Sequence, residues 1–472
     1  MIIGREEEIA VLQALEKTDK SAFVAVYGRR RVGKTFLIRT VFEGKMVFQL
    51  TGLARTKTAR QLVNFHAALV RNFPQYEEKP MANDWFQAFL QLEIALETSS
   101  AAKKIVFLDE LPWLDNRNSG FISALEHFWN SWASARRDVL LVVCGSAASW
   151  MITNLINNHG GLHNRVTHQM PLDPFTLAES EAFFKSKFAT YDRYQLLQLY
   201  MVLGGIPFYL DMVDTAQSAA QNINRLCFSP KGGLRKEFDN LYLSLFRNAD
   251  KHIAVIEALA KKAKGLERDE VLQAANLPNN GSSTKILKEL EESNFIRRYS
   301  TFGKNSRNAL YQLTDFYSLF YLKFMKPNSV LDADFWLSSL DNPEVRAWSG
   351  YAFEQICLAH LPAIKKALGI SGIQTVSSAW LGSYDNQKAQ IDLVIDRRDH
   401  VITVCEMKFS INPFIIEKKY ADELRTKIAI FKQSTGTQKA VFMTFVTTFG
   451  LVQNEHAMSL VQNSFTMDIL FQ

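Results

Sequence analysis

The chain has 472 residues, of which 47% are hydrophobic and 22% charged, a composition that fits an ordinary globular protein and excludes a disordered or fibrous one. It is too long for one typical domain, because ~100–200 residues per domain is usual. A net charge of +6 is compatible with nucleic-acid binding but does not require it.

The cysteines and the hydropathy of the chain indicate in which cellular compartment the protein is expected. The four cysteines are far apart and form no C-x-x-C pair, so neither a zinc site nor a disulfide framework is expected. The N-terminus becomes charged at once, and no apolar run approaches the ~18–20 residues that cross a bilayer. We therefore expect a cytoplasmic protein with no membrane partner.

The first predicted element is an amphipathic helix in which Ile9, Leu12 and Leu15 share one face. The apolar run 23–27 then predicts a strand, and the run 36–38 begins a second helix. Between them lies the pattern G-x-x-x-x-G-K-[ST], formed by Gly28, Arg29, Arg30, Arg31, Val32, Gly33, Lys34 and Thr35.

In this pattern, backbone N–H groups close around phosphate oxygens at a helix N-terminus. Lys34 is expected to reach the terminal phosphates of ATP, and the Thr35 hydroxyl to hold Mg²⁺. The loop therefore predicts a nucleotide-binding site. Arg29, Arg30 and Arg31 contact either phosphate or a neighbouring domain, and the sequence does not distinguish these roles.

A second apolar strand, at 105–108, ends in Asp109 and Glu110. Carboxylates at the C-terminal end of a buried parallel strand point into the crevice where α/β sheets bind ligands. Asp109 is expected to hold Mg²⁺ through water and Glu110 to polarise the attacking water. We expect this strand to lie directly beside the strand of the phosphate loop.

Two further residues have two interpretations each. Ser146 follows the apolar run 139–144, and it either touches the γ-phosphate or its water, or caps the next helix. Arg165 either supplies charge to a transition state on a neighbouring subunit of a homo-oligomer, or forms a surface ion pair.

These residues support a family resemblance. Gly4-Arg5-Glu6, the phosphate loop and the stretch 108–114 together resemble the archaeal-type ATPase family, a branch of P-loop NTPases near the AAA+ and STAND groups. The stretches 172–175 and 204–210 also fit. The resemblance spans about residues 1–245 and implies an ATP-dependent conformational switch with a helical lid. It also implies that Pro207 lies close to the nucleotide base.

The middle of the chain changes pattern twice. Residues 177–246 have helical spacing with many aromatic residues and predict a small bundle. From His252, three predicted helices precede two strand-like runs around a polar tip, which is a winged-helix arrangement. Phosphate contacts with DNA would come from Lys285, Lys288, Lys304 and Arg307. The alternative is a protein-docking or spacer module, because glutamates dilute the basic face.

The C-terminal part predicts a hairpin of strands at 389–396 and 401–408. Glu406 and Lys408 project from the same face of one strand, and Asp392 on its partner can meet them. With Glu354 from a preceding helix, these acids form a plausible Mg²⁺ site in which Lys408 steadies water or phosphate charge. The alternative is a solvated charged face.

Glu354, Asp392, Glu406 and Lys408 match the positions of the PD-(D/E)xK motif, so this part resembles that nuclease superfamily. The predicted fold class is α/β, with a P-loop ATPase core (1–170), a helical lid (171–248), a winged-helix domain (249–330) and a restriction-endonuclease-like domain (331–472). The predicted function is ATP hydrolysis coupled to a DNA-directed module. The alternative is a STAND-like regulatory or scaffolding switch whose nuclease fold is inactive.

Overall fold

The structure is a computed structural model that describes residues 2–116, 118–158, 160–246, 248–303, 309–328 and 332–472. The chain forms two compact units, Met1–Pro174 and Phe175–Gln472. Among the described residues, no helix has the length and apolar character that a membrane crossing requires. The finer division into four domains stays a prediction.

The first unit is built on a five-stranded parallel sheet of order β2-β3-β4-β1-β5. The strands are β1 Ala22–Tyr27, β2 Met46–Thr51, β3 Lys104–Asp109, β4 Val139–Gly145 and β5 His168–Pro171. Strands β3 and β4 are buried along their whole length, because helices cover both faces of a parallel sheet.

The strand order corrects one expectation. β1, which carries the phosphate loop, and β3, which carries the acids, are not neighbours, because β4 lies between them. Parallel strands all present their carboxyl ends at one edge of the sheet, so an intervening strand separates the two ends by only ~10 Å. The loop that follows β1 is long enough to cross that gap.

The described residues of this unit form the α-helices α1 Glu6–Lys17, α2 Lys34–Val41, α3 Thr58–Asn72, α4 Trp85–Glu97, α5 Phe121–His127 and α6 Ala148–Trp150. α5 and α6 continue as π-helical turns at Phe128–Trp132 and Met151–Ile156. In α1, Leu12 and Leu15 are buried, as the amphipathic spacing predicts. The N-cap of α4 is Asp84, whose side chain accepts a hydrogen bond from the Gln87 N–H.

The second unit opens with a group of five helices: α7 Leu177–Ser186, α8 Arg193–Leu203, α9 Pro207–Asp211, α10 Ala219–Cys227 and α11 Glu237–Leu245. α7 and α10 start with capping boxes, formed by Thr176 with Glu179 and by Ser218 with Gln221. These local signals fix where the helices begin, and the aromatic residues between them are mostly core.

Next comes a three-stranded antiparallel sheet of order β6-β8-β7 with its helices. Its elements are α12 Ala249–Ala260, β6 Leu266–Glu267, α13 Arg268–Ala274, α14 Gly281–Glu292, β7 Ile296–Tyr299 and β8 Leu310–Leu313. α14 is capped by the Asn280 side chain, which accepts from two backbone N–H groups. Two short helices follow, α15 Phe316–Phe320 and α16 Phe335–Ser338, with a π-helical turn at Tyr321–Met325 after α15.

The last part of this unit contains a mixed five-stranded sheet of order β13-β12-β11-β10-β9. Its elements are α17 Pro343–Ala359, α18 Leu361–Ala367, β9 Thr375–Tyr384, β10 Gln387–Arg397, β11 Val401–Lys408, α19 Lys418–Thr435, β12 Ala440–Thr447, α20 Glu455–Leu460 and β13 Asn463–Thr466. The predicted hairpin is β10 and β11, which pair antiparallel with Leu393 opposite Cys405. Beyond β11 the pairing becomes parallel.

Candidate nucleotide-binding site

The phosphate loop needs its two glycines for different reasons. A Cβ on Gly28 would lie 2.2 Å from the carbonyl oxygen of Leu172, because the chain after β5 runs directly against the loop. Gly33 has a φ of +93°, a backbone conformation that residues with side chains rarely adopt, and it forms the N-cap of α2. Gly28, whose own φ is +148°, is therefore required by close packing as well as by its backbone angle, and Gly33 by its backbone angle alone.

Lys34 folds back over the loop. Its buried Nζ donates hydrogen bonds to the carbonyl oxygens of Gly28 and Arg29, at 2.9 and 2.8 Å. Burial lowers the pKa of Lys34, while the nearby carboxylates Glu110 and Asp109 act in the opposite direction. The ammonium group thus holds the loop in shape and lies where an anionic ligand would compensate its burial.

Thr35 and Asp109 meet across the sheet edge. The Thr35 hydroxyl donates to the two carboxylate oxygens of Asp109, at 3.1 and 3.0 Å. Burial raises the pKa of Asp109, and the charge of Glu110 adds to that rise, while the hydrogen bond from Thr35 opposes it. A hydroxyl beside a buried carboxylate is an oxygen donor set that fits Mg²⁺, and a cation there would favour the ionised Asp109.

The side chain of Glu110 is held by Ser146, which directly follows β4, the strand between β1 and β3. The Ser146 hydroxyl donates to Glu110 Oε1 at 2.7 Å, and the Ser146 N–H donates to Oε2 at 3.3 Å. Glu110 itself has a left-handed backbone, with φ of +49°. The capping interpretation of Ser146 is wrong, because the N-cap of α6 is Ala147 and no side chain caps that helix. Contact of Ser146 with phosphate stays a prediction.

The remaining residues predicted for this site lie in varied surroundings. Val32 and Arg29 are buried, and Arg30 and Arg31 are partly buried. Arg165 is exposed in the turn before β5, and its role in a homo-oligomer stays a prediction. Pro207 is the first residue of α9, in the second unit.

The candidate DNA contacts on α14 are exposed but already paired. Lys285 lies 3.8 Å from Glu289, and Lys288 lies 3.6 Å from Glu292, each one turn further along the helix. The glutamates therefore dilute the positive charge of this face, as the sequence indicated. The other two candidates, Lys304 and Arg307, lie outside the described residues.

The four C-terminal motif residues are electrostatically coupled. Burial raises the pKa of Glu354 to about 8, and the charge of Asp392 contributes further. Lys408 Nζ lies 3.6 Å from Glu406 Oε2, and Asp392 accepts a hydrogen bond from Gln390 at 2.7 Å. Helix α17 and the hairpin β10–β11 thus bring these side chains to one region of the second unit.

They do not meet as the expected metal-ligand set. Glu406 accepts hydrogen bonds from Lys427 and, at 3.1 Å, from the Tyr420 hydroxyl, both on α19. Within the described ranges, no group of three or more His, Cys, Asp or Glu side chains is arranged to hold a metal ion. No local pattern in the sequence points to Lys427 or Tyr420, because they reach Glu406 only through the packing of α19 on the sheet.

Comparison with known proteins agrees with this geometry. Residues 2–213 match the family described as an ATPase domain predominantly from Archaea. The uncharacterized protein MJECL04 of Methanocaldococcus jannaschii is 24% identical over 377 residues, which are 78% of this chain and 78% of that protein. The uncharacterized ATP-binding protein MJ0423 of the same organism is 40% identical over 47 residues, 10% of this chain and 80% of that protein.

Among solved structures, the Walker-type ATPase paby2304 of Pyrococcus abyssi matches with a TM-score of 0.50 and 16% identity, over 68% of this chain and 96% of that one. At this identity the likeness shows the fold alone. Together with the family match and the phosphate loop on a parallel sheet, it leads to one conclusion: over residues 2–213 the chain is an archaeal-type ATPase domain with a nucleotide-binding P-loop fold.

Proposed function

We propose that the first unit hydrolyses ATP with the help of Mg²⁺. The observation that carries this proposal is the meeting of the phosphate loop, Asp109 and Glu110 at one edge of the parallel sheet. Thr35 and Asp109 would hold the ion, which when bound would offset the charge of the phosphates. Lys34 and the loop backbone would bind the phosphate oxygens.

Glu110 is the proposed group that orients the attacking water. Its carboxylate is turned toward Ser146, so it must exchange at least one of these hydrogen bonds for the water when ATP is bound. Ser146 is therefore a positioning residue that sets the direction of the carboxylate. Its place at the end of β4 lets it report the state of the phosphate site to the glutamate.

We further propose that nucleotide state is coupled to a DNA-directed second unit. Support comes from the order α12-β6-α13-α14-β7-β8 with a three-stranded sheet, which is that of a winged helix. The order α17-β9-β10-β11-α19-β12 around the four motif residues supports a nuclease-like fold. On this proposal, ATP binding and hydrolysis change how these modules engage DNA.

A second candidate is a regulatory or scaffolding switch whose nuclease-like fold is inactive. Two observations favour this second candidate. The Glu406 oxygens already accept hydrogen bonds from Lys427 and Tyr420. The exposed lysines of α14 form ion pairs with glutamates. In that case the C-terminal sheet would be a binding platform, and ATP would set the state of the assembly.

Glu110→Gln tests the hydrolytic site. We expect hydrolysis to fall by about 10²–10⁴-fold while ATP binding persists, because an amide cannot accept the proton of water. Lys34→Ala is expected to lose ATP binding itself. Glu78→Gln, at an exposed glutamate of the same unit, is the matched control and should behave as the parent. A Glu110→Gln protein that hydrolyses ATP at the parental rate would remove Glu110 from the mechanism.

Duplex DNA separates the two candidate functions. ATPase rate and DNA cleavage are measured with and without DNA, in Mg²⁺ and in Mn²⁺, for the parent and for Asp392→Ala. DNA-stimulated hydrolysis, with cleavage that Asp392→Ala loses, supports the DNA-directed enzyme. Hydrolysis that ignores DNA, with no cleavage in either metal, supports the regulatory switch.

A further inference from the structure

A cavity of about 290 Å³ lies within the second unit, apart from the residues discussed above. It is formed by α8, α10, α16, the start of α17 and the segment that follows β11. Residues in its wall include Tyr194, Gln198, Trp336, Trp348, Ser349 and Phe409. Its size is in the lower range of small-molecule sites in proteins, which are ~300–1,000 Å³.

Flat rings dominate the wall of this cavity. Tyr194 stacks on Phe409 with ring centroids 5.5 Å apart and planes within 12°. Trp336 and Trp348 meet edge to face, with centroids 6.1 Å apart and planes at 88°. Ring faces and edges of this kind select a flat partner, because aromatic groups prefer stacked or T-shaped contacts.

Two buried donors around the rings have no acceptor, whereas Gln198 and Ser349 can both donate and accept. Trp336 and Trp348 are only 5% and 7% exposed. Their indole N–H groups are buried and have no hydrogen-bond partner among the described residues. A buried donor without a partner is unfavourable, because folding removes its hydrogen bond to water. Gln198 and Ser349 also make no side-chain hydrogen bond to another described residue. A ligand oxygen that accepts from these indole N–H groups would therefore supply what the described residues do not.

The rim of the cavity is electrically balanced and partly apolar. Asp341 and Arg346 pair there at 3.1 Å, so the entrance carries no net charge from them. Leu340 and Ile411 are 41% and 72% exposed at the same rim and add apolar surface there. A charged ligand would gain nothing at this entrance, whereas an uncharged one would cover apolar surface.

We propose that the cavity binds a small, uncharged, planar molecule that carries hydrogen-bond acceptor oxygens. The site is independent of ATP hydrolysis. It is nevertheless placed to influence the C-terminal motif, because Phe409 directly follows Lys408 and packs 5.9 Å from Phe353, the neighbour of Glu354.

The test uses two probes with the full-length chain, 1,3-dimethyluracil and indole. The first is a planar ring with carbonyl acceptors and no N–H donor, and the second is a planar ring with an N–H donor and no acceptor oxygen. Binding is followed by saturation-transfer NMR, because the indole probe and the tryptophans added in the variants would themselves fluoresce. We expect the parent to bind dimethyluracil and to bind indole more weakly, because only dimethyluracil satisfies the indole N–H groups of the wall.

Ala220→Trp places a large side chain into the cavity from the half-exposed face of α10 and should weaken dimethyluracil binding about tenfold or more. Ala347→Trp adds the same group at an exposed position of α17 outside the cavity, and it should bind as the parent does. Should Ala220→Trp not fold, as judged by circular dichroism, Ser349→Leu takes its place.

Two results would overturn the proposal: no dimethyluracil binding by the parent, or equal binding by the parent and the filled variant. Indole binding as tight as that of dimethyluracil would overturn the acceptor preference.

Discussion

The contact between Ser146 and Glu110 shows how one residue sets the orientation of another. Both Ser146 donors, the hydroxyl and the backbone N–H, are directed at the carboxylate of Glu110. Glu110 has a left-handed backbone, which turns it away from the direction of β3. Its side chain therefore depends on Ser146 for its position, since the strand that carries it ends one residue earlier.

Ser146→Ala removes the hydroxyl donor and keeps the backbone one. We expect kcat for ATP to fall about tenfold with KM nearly unchanged, because a hydrogen bond to a charged group contributes ~1.5–3 kcal/mol and part of it remains. Ser146→Thr, which keeps the hydroxyl, should restore most of the rate. Steady-state ATPase kinetics of the three proteins decide the matter. An equal loss in Ser146→Thr would indicate a packing role instead.

At the scale of elements, His360 joins the end of α17 to the start of α7. Its Nε2 accepts from the Leu177 N–H at 3.0 Å, and its Nδ1 donates to the Ile356 carbonyl oxygen at 2.9 Å. The ring is buried against Tyr200, with centroids 5.5 Å apart. Only the neutral imidazole can make both bonds, so this junction requires an unprotonated histidine.

Burial lowers the pKa of His360, while the Ile356 carbonyl and the charge of Glu179 act in the opposite direction. The unfolded chain therefore binds a proton more readily than the folded one, and stability is lost as pH falls below about 6.5. We expect His360→Gln, which keeps an acceptor but cannot titrate, to unfold with a smaller loss of melting temperature between neutral and acidic pH.

Thermal unfolding followed by circular dichroism across this pH range measures the difference in melting temperature. His168→Gln, at an exposed position of β5, is the control and should keep the parental pH dependence. Identical pH profiles for the parent and His360→Gln would show that another group governs acid stability.

At the scale of the whole molecule, the residues expected to bind ATP lie in only one of the two compact units. The phosphate loop, Asp109 and Glu110 all belong to the first unit. A ligand that binds only the folded state stabilises the unit that holds it, by about 2.7 kcal/mol at a concentration of 100 Kd. ATP should therefore affect the unfolding of one part of the chain first.

Differential scanning calorimetry of the full chain tests this. With Mg²⁺ and saturating ATP, we expect the transition of the first unit to move upward by a few degrees, and Lys34→Ala to abolish the shift. Lys20→Ala, at an exposed lysine of the same unit, should shift as the parent does. A shift that persists in Lys34→Ala would mean that ATP acts elsewhere in the chain.

Local patterns were enough to predict many individual elements. The strand, loop and helix around Gly28 to Thr35 lie where the apolar runs and the glycines indicate, and so does the hairpin of β10 and β11. Helices α12, α13 and α14 and then strands β7 and β8 follow one another in the predicted order. These features depend on periodicity, capping and turn residues, which act between positions close in the sequence.

The sequence by itself determined the chemistry of the nucleotide site, because the loop glycines, Lys34, Thr35 and the Asp109-Glu110 pair are specified by residue type at short spacing. Only the tertiary structure decided which side chains are in contact. In the fold β4 lies between β1 and β3, Ser146 donates a hydrogen bond to Glu110, and Glu406 accepts hydrogen bonds from Lys427 and Tyr420. Strand order and helix docking depend on the burial of apolar faces that are far apart in the chain. Short-range patterns therefore do not predict which strands and helices become neighbours.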